Sequence, residues 1–230
     1  MPGSLVSFSA NGGTAEGYLA MPPAGHGPAL VVIQEWWGLV DHIKVLVDRF
    51  AAAGFVTLAP DMYHGEKTTS PDQAGKLLMA LNIAQAGTDL RGALSFLRNH
   101  ESVMPKKTGV LGFCMGGQLA LYAAQEYGDL VDACVDFYGI HPKVSIDPAR
   151  VKPPVLGHFG LKDSSVPMES VRVLRNEINA AGGSMALHEY DAGHAFFNNT
   201  RPTVFDPVSA SQAWGRTLLF LREHLNQPGL

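Results

Sequence analysis

The chain has 230 residues and a formal net charge of −4 at neutral pH, with 46% hydrophobic and 17% charged residues. This balance supports a buried core and excludes an intrinsically disordered chain. The negative charge and the scattered lysines and arginines give no basic stripe, which argues against nucleic acid or an anionic membrane as partner.

Short apolar runs alternate with amphipathic segments along the sequence, the pattern of β-α units around a mostly parallel sheet. Leu5–Ser9 and Gly17–Ala20 read as an N-terminal hairpin turning through Asn11-Gly12-Gly13. Ala29–Gln34 follows as a buried strand. Asp41 is placed to cap a helix carrying Ile43, Leu46, Val47 and Phe50, which Gly54 ends. Phe55–Ala59 reads as the next strand. Ser70-Pro71-Asp72-Gln73 has a capping-box pattern with proline at the first helical position. A further helix covers Thr88–Asn99. Thr108–Phe113 is a strand that leads into a helix over Met115–Tyr127. Val131–Phe137 and Val155–Phe159 are buried strands, Met168–Ala181 a helix ended by Gly182-Gly183, and Met185–Tyr190 the last strand. Asp206-Pro207 opens a C-terminal helix through Trp214, Leu218 and Leu219. No repeat or long linker divides the chain, so one α/β domain is expected over residues 1–230.

No apolar run approaches the length of a membrane span, and Met1–Ala20 has neither the charged start nor the apolar stretch of a signal peptide. Cys114 and Cys134 are the two cysteines, and with no mark of secretion they point to reduced thiols in a cytoplasmic protein. There is no Cys-x-x-Cys and no Cys/His cluster at zinc-ligand spacing, so neither a metal nor a cofactor is expected.

The segment Gly112-Phe113-Cys114-Met115-Gly116-Gly117 fits G-x-nucleophile-x-G at the junction of an apolar strand and a helix. A sharp strand-to-helix turn strains the nucleophile's backbone and leaves no room for neighbouring side chains. Gly112 and Gly116 provide that room, and Gly117 permits close helix–strand packing. At a helix N-terminus, unpaired N–H groups and the helix dipole favour a thiolate at Cys114, and the Met115 N–H is placed to receive an oxyanion. A buried structural cysteine on a Gly-rich turn is the plainer alternative. Cys134, inside an apolar strand, is expected in the core.

A nucleophilic thiol needs a base, and the base needs a partner that fixes its tautomer. In α/β-hydrolases the chain order is nucleophile, acid, histidine. Among the nine histidines, His194 lies in Asp191-Ala192-Gly193-His194-Ala195-Phe196, just past the last strand, where a side chain can reach the elbow. His158 and His188 lie within strands. The remaining histidines, His42 among them, are placed in loops, turns or helix ends. Asp163, in Gly160-Leu161-Lys162-Asp163, follows the strand after the elbow region and precedes the histidine; a turn aspartate is its alternative.

With these residues assembled, the chain resembles the dienelactone hydrolase family (carboxymethylenebutenolidase-like) over nearly its full length. Gln34-Glu35-Trp36-Trp37-Gly38 is similar to that family's Q-E-x-x-G loop, and the Cys114 segment to its G-x-C-x-G-G elbow. Asp163 in Asp-x-x-Val-Pro and His194 in Ala-Gly-His-Ala-Phe complete the match. The resemblance implies a single-domain α/β-hydrolase fold and hydrolysis of small lactones or esters. It also implies that Glu35 contacts the resting thiol and assists its deprotonation, and that the Trp36 N–H joins that of Met115 in an oxyanion hole.

The match departs from the family at the arginines that hold the substrate carboxylate. One expected position is Asn198 and the other falls at Pro71, and neither replaces a bidentate guanidinium. Lys67 and Arg201 lie in nearby loops. Trp37, Tyr63, Phe196 and Asn198 are the candidate substrate contacts, with Trp36 and Phe197 adding apolar surface. The expected partner is a small-molecule lactone or ester, with the chain a monomer or small homo-oligomer. A non-catalytic ligand-binding or thiol redox-sensing protein on the same fold is the competing reading. The acid and histidine argue against it, because sensing needs no tautomer-fixing pair.

Overall fold

Apolar runs in the sequence assemble into one eight-stranded sheet in the computed structural model, which describes residues 2–10 and 12–226. β1 (Ser4–Ala10) and β2 (Gly13–Ala20) form an antiparallel hairpin, with Ser4 opposite Leu19 and Ala10 opposite Gly13. β2 also runs antiparallel to β4 (Val56–Pro60). Beyond β4 the sheet is parallel, through β3 (Gly27–Ile33), β5 (Val103–Phe113), β6 (Ala133–Phe137), β7 (Val155–Gly160) and β8 (Met185–Tyr190). The spatial order is β1-β2-β4-β3-β5-β6-β7-β8. Every residue of β3, β4, β6 and β7 is buried, as parallel strands covered on both faces require.

Among the described residues, six α-helices cover the sheet. α1 (Asp41–Ala52) buries Ile43, Leu46, Val47 and Phe50, and α2 (Pro71–Ala80) opens on the expected cap, with the Ser70 side chain accepting from the Gln73 N–H. α3 (Ile83–Asn99) and α4 (Met115–Glu126) follow, then α5 (Met168–Ala180) and α6 (Pro207–Leu225), the last capped by Asp206 through the Ser209 N–H at 2.7 Å. The two faces can be read from β5. A side chain at Gly109 would meet Leu221 and Leu225 of α6, whereas one at Gly112, on the opposite face, would meet α4. α1 joins α6 through Phe50 and Trp214, whose rings lie 4.6 Å apart.

Four expectations are corrected. Asp41 does not cap α1: Val40 precedes the helix without a side-chain bond, and Asp41 sits in the first turn, where its charge suits the helix dipole. α3 starts before Thr88, because the Asn82 side chain accepts from the Gln85 N–H at 3.2 Å. Gly87, which interrupts the helical pattern in the sequence, is the close approach that admits Tyr122 and Tyr127. β5 begins at Val103, ahead of Thr108, since its first half carries a proline and two lysines and hides the strand pattern. β2 starts at Gly13 rather than Gly17, so the expected turn is shorter, and its Asn11 lies outside the described residues. No helix among the described residues is long and apolar enough to cross a membrane.

Candidate active site

The C-terminal ends of β3, β5, β7 and β8 deliver Glu35, Cys114, Asp163 and His194 to one edge of the sheet, where ligand sites of α/β folds form. Cys114 is the residue before α4 and has φ 54° and ψ −120°, a left-handed backbone that side chains rarely adopt. The flanking glycines are obligatory. A Cβ on Gly112 would run into the Gly116 carbonyl, and one on Gly116 into the carbonyls of Ile33 and Gln34. The turn is pinned to β6, since the Cys114 N–H donates to the Phe137 carbonyl at 2.9 Å and the Cys114 carbonyl accepts from the Ile140 N–H at 3.1 Å. As the first residue of α4, Met115 has an N–H without an intrahelical acceptor.

Cys114 and Cys134 are both free thiols. Cys134 is fully buried, and burial pushes its pKa well above the ordinary thiol range. Cys114 is half-buried and lines a cavity of about 330 Å³ together with Glu35, Trp36, Trp37 and His194. Leu78, Ile140, Pro142, Ser165 and Arg201 complete the wall. Apart from Arg201, none of these five was a sequence candidate: Leu78 sits on α2, Ser165 is a free position of Asp-x-x-Val-Pro, and Ile140 and Pro142 come from a loop with no motif of its own.

Asp163 is buried, with one carboxylate oxygen accepting from the Ser165 and Val166 N–H groups at 2.8 and 3.1 Å. Its other oxygen lies 2.6 Å from His194 Nδ1. That bond assigns a proton to Nδ1 and leaves Nε2 as the nitrogen not held by Asp163. Burial pulls the His194 pKa down, but the Asp163 hydrogen bond and the adjacent Cys114 thiol outweigh it and carry the pKa up to about 10.

Glu35 is buried, and this raises its pKa above the ordinary carboxylate value. The Asn198 amide, His194 and Arg201 act in the opposite direction. Asn198 Nδ2 donates to Glu35 Oε2 at 2.7 Å. The Asn198 amide is oriented by Thr200, whose N–H and hydroxyl both donate to Oδ1, at 3.0 and 2.6 Å. Asn198, expected to face substrate, is 2% exposed with its amide committed to Glu35, and it also borders an outer groove beside Thr200 and Arg201.

The other expected contacts divide. Trp37 lines the cavity and also a wider outer groove of about 820 Å³ that includes Lys67 and Arg201. The Arg201 guanidinium lies 5.2 Å from the Trp37 ring centroid, between the two spaces. Tyr63 does not reach the cavity; it is buried beneath the elbow with its hydroxyl 3.1 Å from the Met115 sulfur. Phe196 is fully buried against Tyr138 and Tyr190, at 5.4 and 5.0 Å, and is a core residue below the site rather than a substrate contact. Phe197 likewise packs on Phe113 and Phe137. His158 is buried with both ring nitrogens engaged, by the Tyr190 and Thr217 hydroxyls. His42 lies at the N-terminal end of α1, where burial pushes its pKa down to about 4. No three His, Cys, Asp or Glu side chains among the described residues are grouped to hold a metal ion.

Comparison with known proteins gives a consistent picture. The sequence pattern of the dienelactone hydrolase family matches residues 15–225. The chain is similar to Protein usf of Aquifex pyrophilus, 38% identical over 230 residues, which span 97% of this chain and 99% of that protein. It is similar to the carboxymethylenebutenolidase of Pseudomonas sp. (strain P51), 32% identical over 228 residues and 94% of each chain. In three dimensions it shares the fold of a dienelactone hydrolase-like promiscuous phosphotriesterase from metagenomic libraries. The TM-score is 0.84 at 23% identity, over 98% of this chain and 100% of the other.

Proposed function

Because the chain belongs to the dienelactone hydrolase family, we propose that it hydrolyses small lactones and activated esters through a thioester on Cys114. The observation that carries this reading is that Cys114 shares one cavity with His194, whose other face is held by Asp163 at 2.6 Å. The Cys114 thiolate attacks the substrate carbonyl carbon, and the oxyanion falls to the N–H groups of Trp36 and Met115. The tetrahedral intermediate collapses with loss of the alkoxide or enolate, which takes a proton from the His194 imidazolium. Neutral His194 then removes a proton from water, whose oxygen attacks the thioester and releases the carboxylic acid and the thiolate. Glu35, in the same cavity, assists the first deprotonation of the thiol.

The leaving-group order sets the substrate class. A thiolate departs more readily than an alkoxide or an amide anion, so the first intermediate moves forward only when the substrate offers a good leaving group. Lactones, enol esters and aryl esters are accordingly favoured over amides. The cavity of about 330 Å³ is at the small end of ligand pockets and suits a compact substrate. Two free thiols fit a reducing cytoplasmic setting.

The test is a rapid-mixing experiment with an aryl ester, followed by intact mass after acid quench. A burst, then steady turnover, with the acyl mass on Cys114, is expected. Cys114→Ala is expected to lower kcat by about 10³-fold or more. A protein that labels once and then stops is a thiol sensor or binding protein and not a hydrolase.

A further inference from the structure

Tyr138, which no motif singles out, stands just past β6 with φ 43°, a region that a bulky side chain rarely occupies. Such a residue persists only where its surroundings over-determine it. The Tyr138 N–H donates to the His158 carbonyl at 2.9 Å, and its ring meets His194 edge-on at 5.1 Å. Phe196 closes on it from another side at 5.4 Å. The phenol is fully buried; the Phe197 backbone N–H faces its oxygen, and its hydroxyl proton has no acceptor among the described residues. Buried tyrosine hydroxyls ordinarily find one.

The complementary orphan is in the same site. Glu35 Oε2 is taken by Asn198, whose amide cannot flip because Thr200 holds its oxygen. That leaves Glu35 Oε1 as a buried acceptor without a donor among the described residues. Burial raises the phenol's pKa well above its ordinary value, and among the charged groups that add to this Glu35 comes first, ahead of Cys114 and Asp163. A phenol that keeps its proton in the presence of a carboxylate has that proton to donate. The terminal torsion of a glutamate is soft, so its carboxylate plane is free to turn toward a second donor.

We propose that Tyr138 is a positioning residue of the reaction site, its hydroxyl the second donor to Glu35 and its ring the surface against which His194 is held. The proposal rests on the thioester mechanism above only for its consequence. Asn198 and Tyr138 together fix the carboxylate plane beside Cys114, so that Glu35 acts on the thiol from one direction.

A double-mutant cycle tests it. Tyr138→Phe removes one oxygen, keeps the ring, and is expected to melt at the wild-type temperature. Its kcat for an aryl ester is expected to fall about tenfold with KM changed less than about twofold, the size of a lost bond to a charged group. The rate of Cys114 alkylation by iodoacetamide is expected to change by a comparable factor. On a Glu35→Gln background the same substitution is expected to alter either rate by less than about twofold, because the partner is gone. Equal effects on both backgrounds, or none on the wild type, overturn the proposal. Alkylation needs no turnover. A chain inert to every ester that still shows the coupling would sink the hydrolase reading and leave Tyr138 assigned.

Discussion

Asn198 Nδ2 lies 2.7 Å from Glu35 Oε2, across 163 residues of chain, and this bond determines what position 198 can do. In the sequence the position stands where an arginine would hold a substrate carboxylate. In the fold it is 2% exposed and already spent on a protein carboxylate. Asn198→Arg is therefore expected to pair its guanidinium with Glu35 and to confer no taste for acidic lactones. Overpacking adds a stability loss of about 1–3 kcal/mol. The measurement is the ratio of kcat/KM for matched lactones with and without a carboxylate; a tenfold rise would show that position 198 faces substrate after all.

Arg201 is the better placed cation. It borders both the reaction cavity and the outer groove, and its guanidinium lies over Trp37. Arg201→Gln is expected to lower kcat/KM for an acidic lactone by about tenfold while a neutral aryl ester changes less than about threefold, the pattern of a lost charge-assisted contact. Equal losses on both substrates would assign Arg201 to packing on Trp37 instead. Repeating the pair at high salt separates the charge from the stack, since a half-exposed ion contact weakens with screening.

The glycine at 116 gives a prediction about stability rather than rate. Its missing side chain is what allows the end of β3 to rest on the start of α4, with the carbonyls of Ile33 and Gln34 occupying the place of a Cβ. Backbone atoms cannot rotate aside as a side-chain tip would. Gly116→Ala is expected to cost about 2–4 kcal/mol in urea unfolding, and to reduce activity because Glu35 and the elbow move apart. A cost below about 1 kcal/mol would mean that this junction has slack.

What was legible in the sequence was what is local. The elbow glycines, Cys114, and the loops holding Asp163 and His194 announce themselves within a few residues, because strand-to-helix turns and post-strand loops carry their own chemistry. The fold class followed from alternating apolar and amphipathic runs. The start of α3 was hidden by Gly87, a position set by tertiary packing against Tyr122 and not by helix propensity. Phe196 and Tyr63 looked like pocket aromatics because a sequence does not say which way a loop residue turns. The Asn198–Glu35 bond and the strained Tyr138 left no local trace at all, since both depend on which loops the sheet order brings together.

The Asp163–His194 pair makes the sharpest pH prediction. Burial opposes the imidazolium, but the hydrogen bond from Nδ1 to the Asp163 carboxylate and the adjacent Cys114 thiol favour it, and together they carry the His194 pKa up to about 10. An imidazolium that persists through neutral pH is available to protonate the leaving alkoxide there. Wild-type kcat/KM for a lactone is thus expected to fall only on approach to about pH 10. Asp163→Asn removes the carboxylate's share of the rise and leaves burial and the Cys114 thiol in place, so the alkaline limb moves down in pH, and kcat drops by about 10²–10⁴-fold as the tautomer is lost. Linkage gives the same sign for stability. A folded pKa above the unfolded value contributes stability that is fully present below about 6.5 and is lost as the pH rises through about 10. That part of the pH dependence should shrink in Asp163→Asn, where only the Cys114 thiol still favours the imidazolium. Profiles of kcat/KM and of urea midpoint from about pH 6 to about pH 11 check both; a limb that stays in place after Asp163→Asn would assign it to a group other than His194.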